Sequence, residues 1–259
     1  MVGAPKVQVS ACVYWSMPWL KTYLQQLENL DYPKDCIRYA FSVSPGRDDS
    51  AQVLLDWLKD KPNFYVRCVQ SNPDWPARRR MWVAGNHFRR HALEDSPETW
   101  KPDYLFVCDT DVIRIPPETL RFLVEKDVDI VAPYVYVSRG GDTGESSGIF
   151  YDTYSYRFLH GPFDYTQYPH PPWWADWYKK HMADPDVHAD MEKRLIPMYS
   201  VGANPVLYKR EVIEKVWYTG DEAIHGFCKA AVEAGFKIWS TPDIHVIHSN
   251  SSIFGRSDA

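Results

Sequence analysis

The run Tyr104-Leu105-Phe106-Val107-Cys108-Asp109-Thr110-Asp111-Val112-Ile113 governs how the rest of the chain is read. Apolar residues of strand length and composition meet two carboxylates that are one residue apart. Along a strand, residues i and i+2 project to the same face. Asp109 and Asp111 are therefore expected side by side at the carboxyl end of a buried strand. Open α/β sheets bind their ligands at that end. Neighbouring carboxylates repel each other unless a cation holds them. A hard divalent ion that also grips phosphate oxygens is the simplest occupant. The plain alternative is a polar pair that merely ends the strand.

The chain is long enough, at 259 residues, to bury a large core, and it reads as a single domain. A net charge of −5 advertises no long face for a polyanion. Aromatic residues reach 15%, with 11 Trp and 17 Tyr. Flat amphipathic rings serve both packing and stacking against sugar faces. Five cysteines (Cys12, Cys36, Cys68, Cys108 and Cys228) are dispersed without CxxC spacing, which suits reduced thiols and not a disulfide frame or zinc site. The opening Met1-Val2-Gly3-Ala4-Pro5-Lys6 lacks an apolar signal core. No run approaches the about 18 apolar residues of a membrane span. The expectation is a soluble, cytoplasmic protein.

Upstream of the acidic stretch, periodicity alternates between two and 3.6 residues. Val7 to Tyr14 reads as a strand, and Met17-Pro18-Trp19-Leu20 opens a helix with Leu20, Leu24, Leu27 and Leu30 on one face. Asp31-Tyr32-Pro33 stops it. Ile37 to Ser44 is a second strand, Ala51 to Lys59 a helix and Phe64 to Val69 a third strand. This β-α-β-α-β order predicts a mainly parallel sheet with right-handed crossovers. Pro76 to Leu93 is a basic amphipathic helix. Downstream come a helix over Glu118 to Lys126, a strand over Asp129 to Val135, and a loop-rich aromatic stretch from Ser138 to Pro197. Long irregular segments in compact domains are usually binding loops or lids.

The acidic stretch, with Pro116-Pro117-Glu118-Thr119-Leu120 after it, resembles the metal-binding segment of GT-A glycosyltransferases. The resemblance runs over roughly residues 5 to 250, is closest to family 2, and is weaker for the capsule-type and yeast Golgi mannosyltransferases. It implies an α/β fold: one GT-A, Rossmann-like, mostly parallel sheet flanked by helices. Residues 5–110 would bind the nucleotide, and 111–250 would form the acceptor and catalytic half, with the insert 138–197. In the family, the first strand's end and an Asp after the second strand flank base and ribose, which points to Asp48 or Asp49 here; a plain turn and helix cap is the alternative. A basic residue and a small-residue-then-Asn step on the next helix correspond to Arg79, Arg80 and Asn86. Guanidinium forks suit a diphosphate because they donate two parallel hydrogen bonds. Gly202, in Tyr199-Ser200-Val201-Gly202-Ala203-Asn204, fits the step where backbone nears the donor sugar. Tyr151-Asp152-Thr153 with Arg157 adds Asp152 as a lesser candidate.

Two further segments complete the resemblance. Gly220-Asp221-Glu222 precedes a helix ending in Ala234-Gly235, where family 2 enzymes carry a catalytic acid; the pair lies about two residues early, so either Asp221 or Glu222 qualifies. Acids there also complement a helix dipole. Pro242 to Asn250 matches the closing strand whose final His is a metal ligand, which lands on His248, with His245 on the opposite face. The implied activity is transfer of a sugar from a nucleotide-diphosphate sugar, UDP- before GDP-linked, to an acceptor hydroxyl. Asp109, Asp111 and His248 would hold the metal, and a His among the ligands favours Mn²⁺ over Mg²⁺. Asp109 would also contact the donor. An inverting reaction needs Asp221 or Glu222 as base, and a retaining one does not. A sugar-phosphate nucleotidyltransferase is a second class, but Tyr14-Trp15-Ser16-Met17-Pro18 is no Gly-rich phosphate loop. A non-catalytic carbohydrate binder is a third. The Arg78–Arg80 cluster also allows a nucleic-acid acceptor, which the negative net charge disfavours.

Overall fold

The computed structural model describes residues 3–44, 48–62, 64–68, 77–140, 142–151, 155–159, 194–219 and 223–250. β1 (Val7–Val13) lies between β2 (Ile37–Val43) and β4 (Tyr104–Val107), parallel to both. Strands covered on both faces read as near-continuous apolar runs. Every residue of β2 and β4 is accordingly buried. β3 (Phe64–Cys68) adds to the outer side of β2, also parallel. It is less buried, and Phe64 is exposed.

The crossovers are helical, as the periodicity predicts. α1 (Met17–Glu28) has Pro18 in its first turn, where a missing N–H costs nothing. It buries Trp19, Leu20, Tyr23, Leu24 and Leu27. α2 (Ser50–Leu58) packs beside α1. α3 (Ala77–Arg90) widens into a π-helical turn over His91–Asp95. The buried Gln8 amide explains where it widens. Its Nε2 donates to the Phe88 carbonyl at 3.0 Å, and its Oε1 meets His91 Nδ1 at 2.8 Å.

β4 stops at Val107, earlier than the apolar run predicts. Cys108 to Asp111 turn instead, closed by the Val112 N–H on the Asp109 carbonyl at 3.3 Å. Asp and Thr side chains compete with the ladder for backbone groups and favour such turns. β5 (Val112–Arg114) then leaves β4 to pair antiparallel with β11 (Ile238–His248). β6 (Ile130–Ser138) runs beyond the expected Val135, because β11 on one side and β7 (Ser146–Phe150) on the other prolong its pairing.

β10 (Val206–Lys209) runs antiparallel between β4 and β6, and β11 is parallel to β6. Along the path β3-β2-β1-β4-β10-β6-β11, every strand but β10 points the same way. β9 (Ile196–Ser200) and β8 (Arg157–Phe158) extend the far edge antiparallel. α4 (Thr119–Glu125) packs on β6, α5 (Arg210–Lys215) on β10, and α6 (Ala223–Glu233) against α3. The protein is thus the expected α/β domain. All five cysteines are free. Among the described residues, no helix is long and apolar enough to cross a membrane.

Candidate active site

The turn after β4 and the end of β11 meet at the carboxyl edge of the sheet. Val112 lies opposite His248 in the β5–β11 pairing, and the next backbone bond runs from the Ser249 N–H to the Asp111 carbonyl at 2.8 Å. That ladder carries the His248 ring to the Asp111 side chain, with Nε2 3.2 Å from Oδ1. Asp109 is anchored on the other side, its N–H donating to the Ala203 carbonyl at 3.2 Å. The two carboxylates therefore sit on a turn and not on a continuing strand. Among the described residues, no three His, Cys, Asp or Glu side chains converge as a metal cage; Asp111 and His248 form the converging pair.

His248 is 2% exposed and stacked on the Tyr151 ring at 3.8 Å. Its Nδ1 lies 2.9 Å from the Ser249 carbonyl, which can only accept, so Nδ1 carries a proton. A neutral ring then presents the Nε2 lone pair to a carboxylate oxygen, and something positive must lie between them. Without a metal, that is a proton. Burial disfavours the imidazolium, but hydrogen bonding and charge from Asp111, then Ser249 and Asp109, outweigh it and hold the pKa above its ordinary value. A divalent ion replaces that proton naturally, and the carbonyl on Nδ1 is the usual outer support of a ligating His. The donor set therefore fits a cation. His245, the other candidate, is exposed and edge-on to Tyr136.

The ends of β1 and β2 flank this turn. Asp48 bridges the starts of the helices that follow them, accepting from the Met17 N–H of α1 at 3.2 Å and the Ser50 N–H of α2 at 3.0 Å. Asp49 is the N-cap residue of α2, without a side-chain cap bond. Ser16 Oγ lies 2.8 Å from Thr110 Oγ1, tying the start of α1 into the acidic turn. Arg80 sits over the Tyr14 ring at 4.9 Å, on the same side of the sheet edge, while Arg79 is exposed. Burial foremost, and then the Asp109 charge, push the Cys12 thiol up, which places Asp109 within electrostatic reach of β1.

Gly202 is buried in the segment that carries Ala203 to Asp109. Asn86 holds backbone with both ends of its amide: Nδ2 donates to the Tyr218 carbonyl at 2.9 Å, and Oδ1 accepts the Tyr218 N–H at 3.0 Å. Trp82 Nε1 donates to the same carbonyl. Gly85 makes room for the Tyr218 ring, since a Cβ there would lie 2.7 Å from it. Asp221, Glu222 and Asp152 lie outside the described residues. Arg157 is buried on β8. Sequence reasoning passed over Ser16, Thr110, Tyr151 as a stacking partner, and Asp142. Thr110 sits between the two acids of the opening run, which drew the reading to themselves; Tyr151 and Asp142 belong to loops with no periodic signal, and Asp142 directly follows the Gly140-Gly141 pair, the one local hint of a built turn.

Comparison with known proteins follows this geometry. Human procollagen galactosyltransferase 2 is 29% identical over 150 residues, 53% of this chain but 23% of that protein. A Drosophila melanogaster glycosyltransferase 25 family member is 27% identical over 143 residues, 50% of this chain and 23% of its own. A mouse protein named inactive glycosyltransferase 25 family member 3 is 28% identical over 127 residues, 44% of this chain and 21% of its own. The chain therefore matches less than a quarter of the length of these relatives. Among solved structures, the mannosyltransferase PcManGT of Pyrobaculum calidifontis, in complex with GDP-Man and Mn²⁺, superposes with a TM-score of 0.58 at 16% identity, covering 96% of this chain and 59% of that one. S. aureus TarS 1–349 in complex with UDP-GlcNAc gives 0.57 at 14% identity, covering 98% and 62%. These likenesses are of fold, and the fold is GT-A. The model of the glycosyltransferase family 25 N-terminal domain matches residues 4–167, more than half of the chain's 259 residues, and the chain belongs to that family.

Proposed function

We propose that this chain transfers a sugar from a nucleoside-diphosphate sugar, a UDP-sugar before a GDP-sugar, to an acceptor hydroxyl with the help of a divalent metal. The observation that carries this reading is the Asp111–His248 pair, 3.2 Å apart at the carboxyl edge of the sheet. The relatives named as galactosyltransferases, and the GDP-Man, UDP-GlcNAc and Mn²⁺ of the structural neighbours, support it.

Asp111 and His248 would hold the ion, with Asp109 directly or through water, and the imidazole favours Mn²⁺ over Mg²⁺. The bound ion supplies positive charge to the departing diphosphate. Arg80, and Arg79 beside it, would add charge stabilisation at the same oxygens. Asp48 is the choice for the ribose hydroxyls, because its carboxylate already bridges the starts of α1 and α2, the helices that follow β1 and β2. Gly202 lets backbone approach the sugar without a Cβ. Asp221 or Glu222, directly before α6 in the chain, would accept the hydroxyl proton of an inverting reaction.

A second reading is a binding protein that retains the donor site without turnover; the mouse relative named inactive favours it. Release of nucleoside diphosphate from UDP-, GDP- and dTDP-sugars, with Mn²⁺ and with EDTA, separates the two. Metal-dependent release from one donor is the expected result. Mn²⁺-dependent donor binding without release, even with acceptors supplied, would establish the second reading instead.

A further inference from the structure

Asp142 lies in the connection between β6 and β7, yet its carboxylate is turned to other parts of the chain. Oδ2 accepts the Trp19 indole N–H at 2.8 Å, from the first turn of α1. Oδ1 accepts the Ser249 hydroxyl at 2.7 Å and the Asn250 N–H at 2.9 Å, just past β11. The connection closes by other bonds: Arg139 N–H to the Glu145 carbonyl at 2.7 Å, Thr143 Oγ1 to the Arg139 carbonyl at 2.9 Å, and Gly144 N–H to Ser138 Oγ at 3.3 Å. None of these involves the Asp142 side chain. Trp19 itself is firmly seated, 8% exposed in a small apolar cluster with Ile113 of β5 and Ile247 of β11, near the site.

Ser249 is thereby held at three points. Asp142 takes its hydroxyl, Asp111 takes its N–H, and its carbonyl takes His248 Nδ1 at 2.9 Å. A peptide plane fixed in this way sets the direction of the imidazole, and so the direction of Nε2. We propose that Asp142 is a positioning residue for His248: through Ser249 it locks the ring with Nδ1 protonated and Nε2 presented to Asp111. The consequence for metal binding rests on the function proposed above. Supports of this kind typically contribute about 10- to 100-fold to metal affinity.

The test uses the full chain and two readouts. Nitrogen-15 NMR of the imidazoles, with His248 assigned by its loss in H248A, reads the ring without any metal. In the parent at neutral pH or above, His248 is expected protonated at Nδ1. In D142A that single state gives way to exchange broadening, because the ring loses its fixed orientation. Titration with Mn²⁺ alone, followed by its electron paramagnetic resonance, is expected to show about tenfold weaker binding in D142A. D142N keeps an acceptor for Ser249 but turns an NH₂ towards the Trp19 N–H, so a loss of only a few-fold is expected. Should D142A fail to fold, S249A removes one hydroxyl and serves for both readouts, with a loss between the two. A His248 spectrum in D142A or S249A identical to the parent overturns the proposal. A parent that binds no Mn²⁺ overturns the metal reading, while the imidazole spectra still decide whether Asp142 positions the ring.

Discussion

The two ends of β4 carry acids in contrasting company. Before its first residue, Asp103 receives the Arg210 guanidinium at 2.8 Å and the Lys6 N–H at 2.8 Å, and Arg210 also donates to the Pro102 and Lys101 carbonyls at 2.6 and 3.0 Å. Lys209 pairs with Asp127 nearby at 2.7 Å. Acid and base are matched there, as structural charges in water-exposed clusters generally are. After the last residue of β4, Asp111 faces a buried imidazole whose proton is held by the carboxylate itself. Matched charges hold a fold, whereas a carboxylate and a ring nitrogen sharing one positive charge are the arrangement proposed above to hold a cation.

The largest effect expected from this contrast is at Asp111. Asp111→Asn keeps the size of the side chain but removes half of the cation pair. Nucleoside-diphosphate release should fall by about a hundredfold or more, while the urea midpoint moves little. A turnover within twofold of the parent would remove the distinction between the two ends. At the opposite end the pattern should invert. Arg210→Ala deletes one charged and two carbonyl hydrogen bonds that are partly exposed, and should cost about 1–2 kcal/mol of stability in urea unfolding while turnover stays within twofold.

Asn86 tests a region between these extremes. Asn86→Ala removes both side-chain bonds to the Tyr218 backbone and leaves Trp82 on the carbonyl. A destabilisation of about 1 kcal/mol is expected, with donor KM unchanged. A raised KM without loss of stability would return Asn86 to the donor site.

The smallest effect is a slope. His91 is 5% exposed, and burial, only partly offset by Asp95, lowers its pKa to about 4. A depressed His pKa means that the folded state resists the proton the unfolded chain accepts. Stability is therefore full above about pH 6.5 and drains as pH falls towards the folded value. By pH 6 the loss should be about 1 kcal/mol or less. His91→Gln should show a flatter decline over that interval in urea unfolding. Parent and variant declining in parallel would mean that His91 accepts a proton in place.

The parallel half of the sheet was legible because each of its steps is local. A strand, an amphipathic helix and the next strand each announce themselves over ten or so neighbours, and right-handed crossovers leave few ways to join them. The acidic stretch stood out for the same reason, as a change from apolar to charged within one run. Its inner geometry did not. Whether Cys108 to Asp111 continue a strand or turn depends on whether a partner continues alongside, and the partner of β5 is β11, more than a hundred residues later.

The sequence by itself determined the α/β class, the order of elements and the address of the acids at the carboxyl edge of the sheet. Only the tertiary structure brought the His248 ring to Asp111, because a register with β5 and not a motif sets that contact. It also turned the amide of Asn86 to the Tyr218 backbone and the carboxylate of Asp142 to Ser249. Periodicity is written in neighbours along the chain. The partner of a side chain is chosen among residues that folding brings close, and no local pattern encodes that choice.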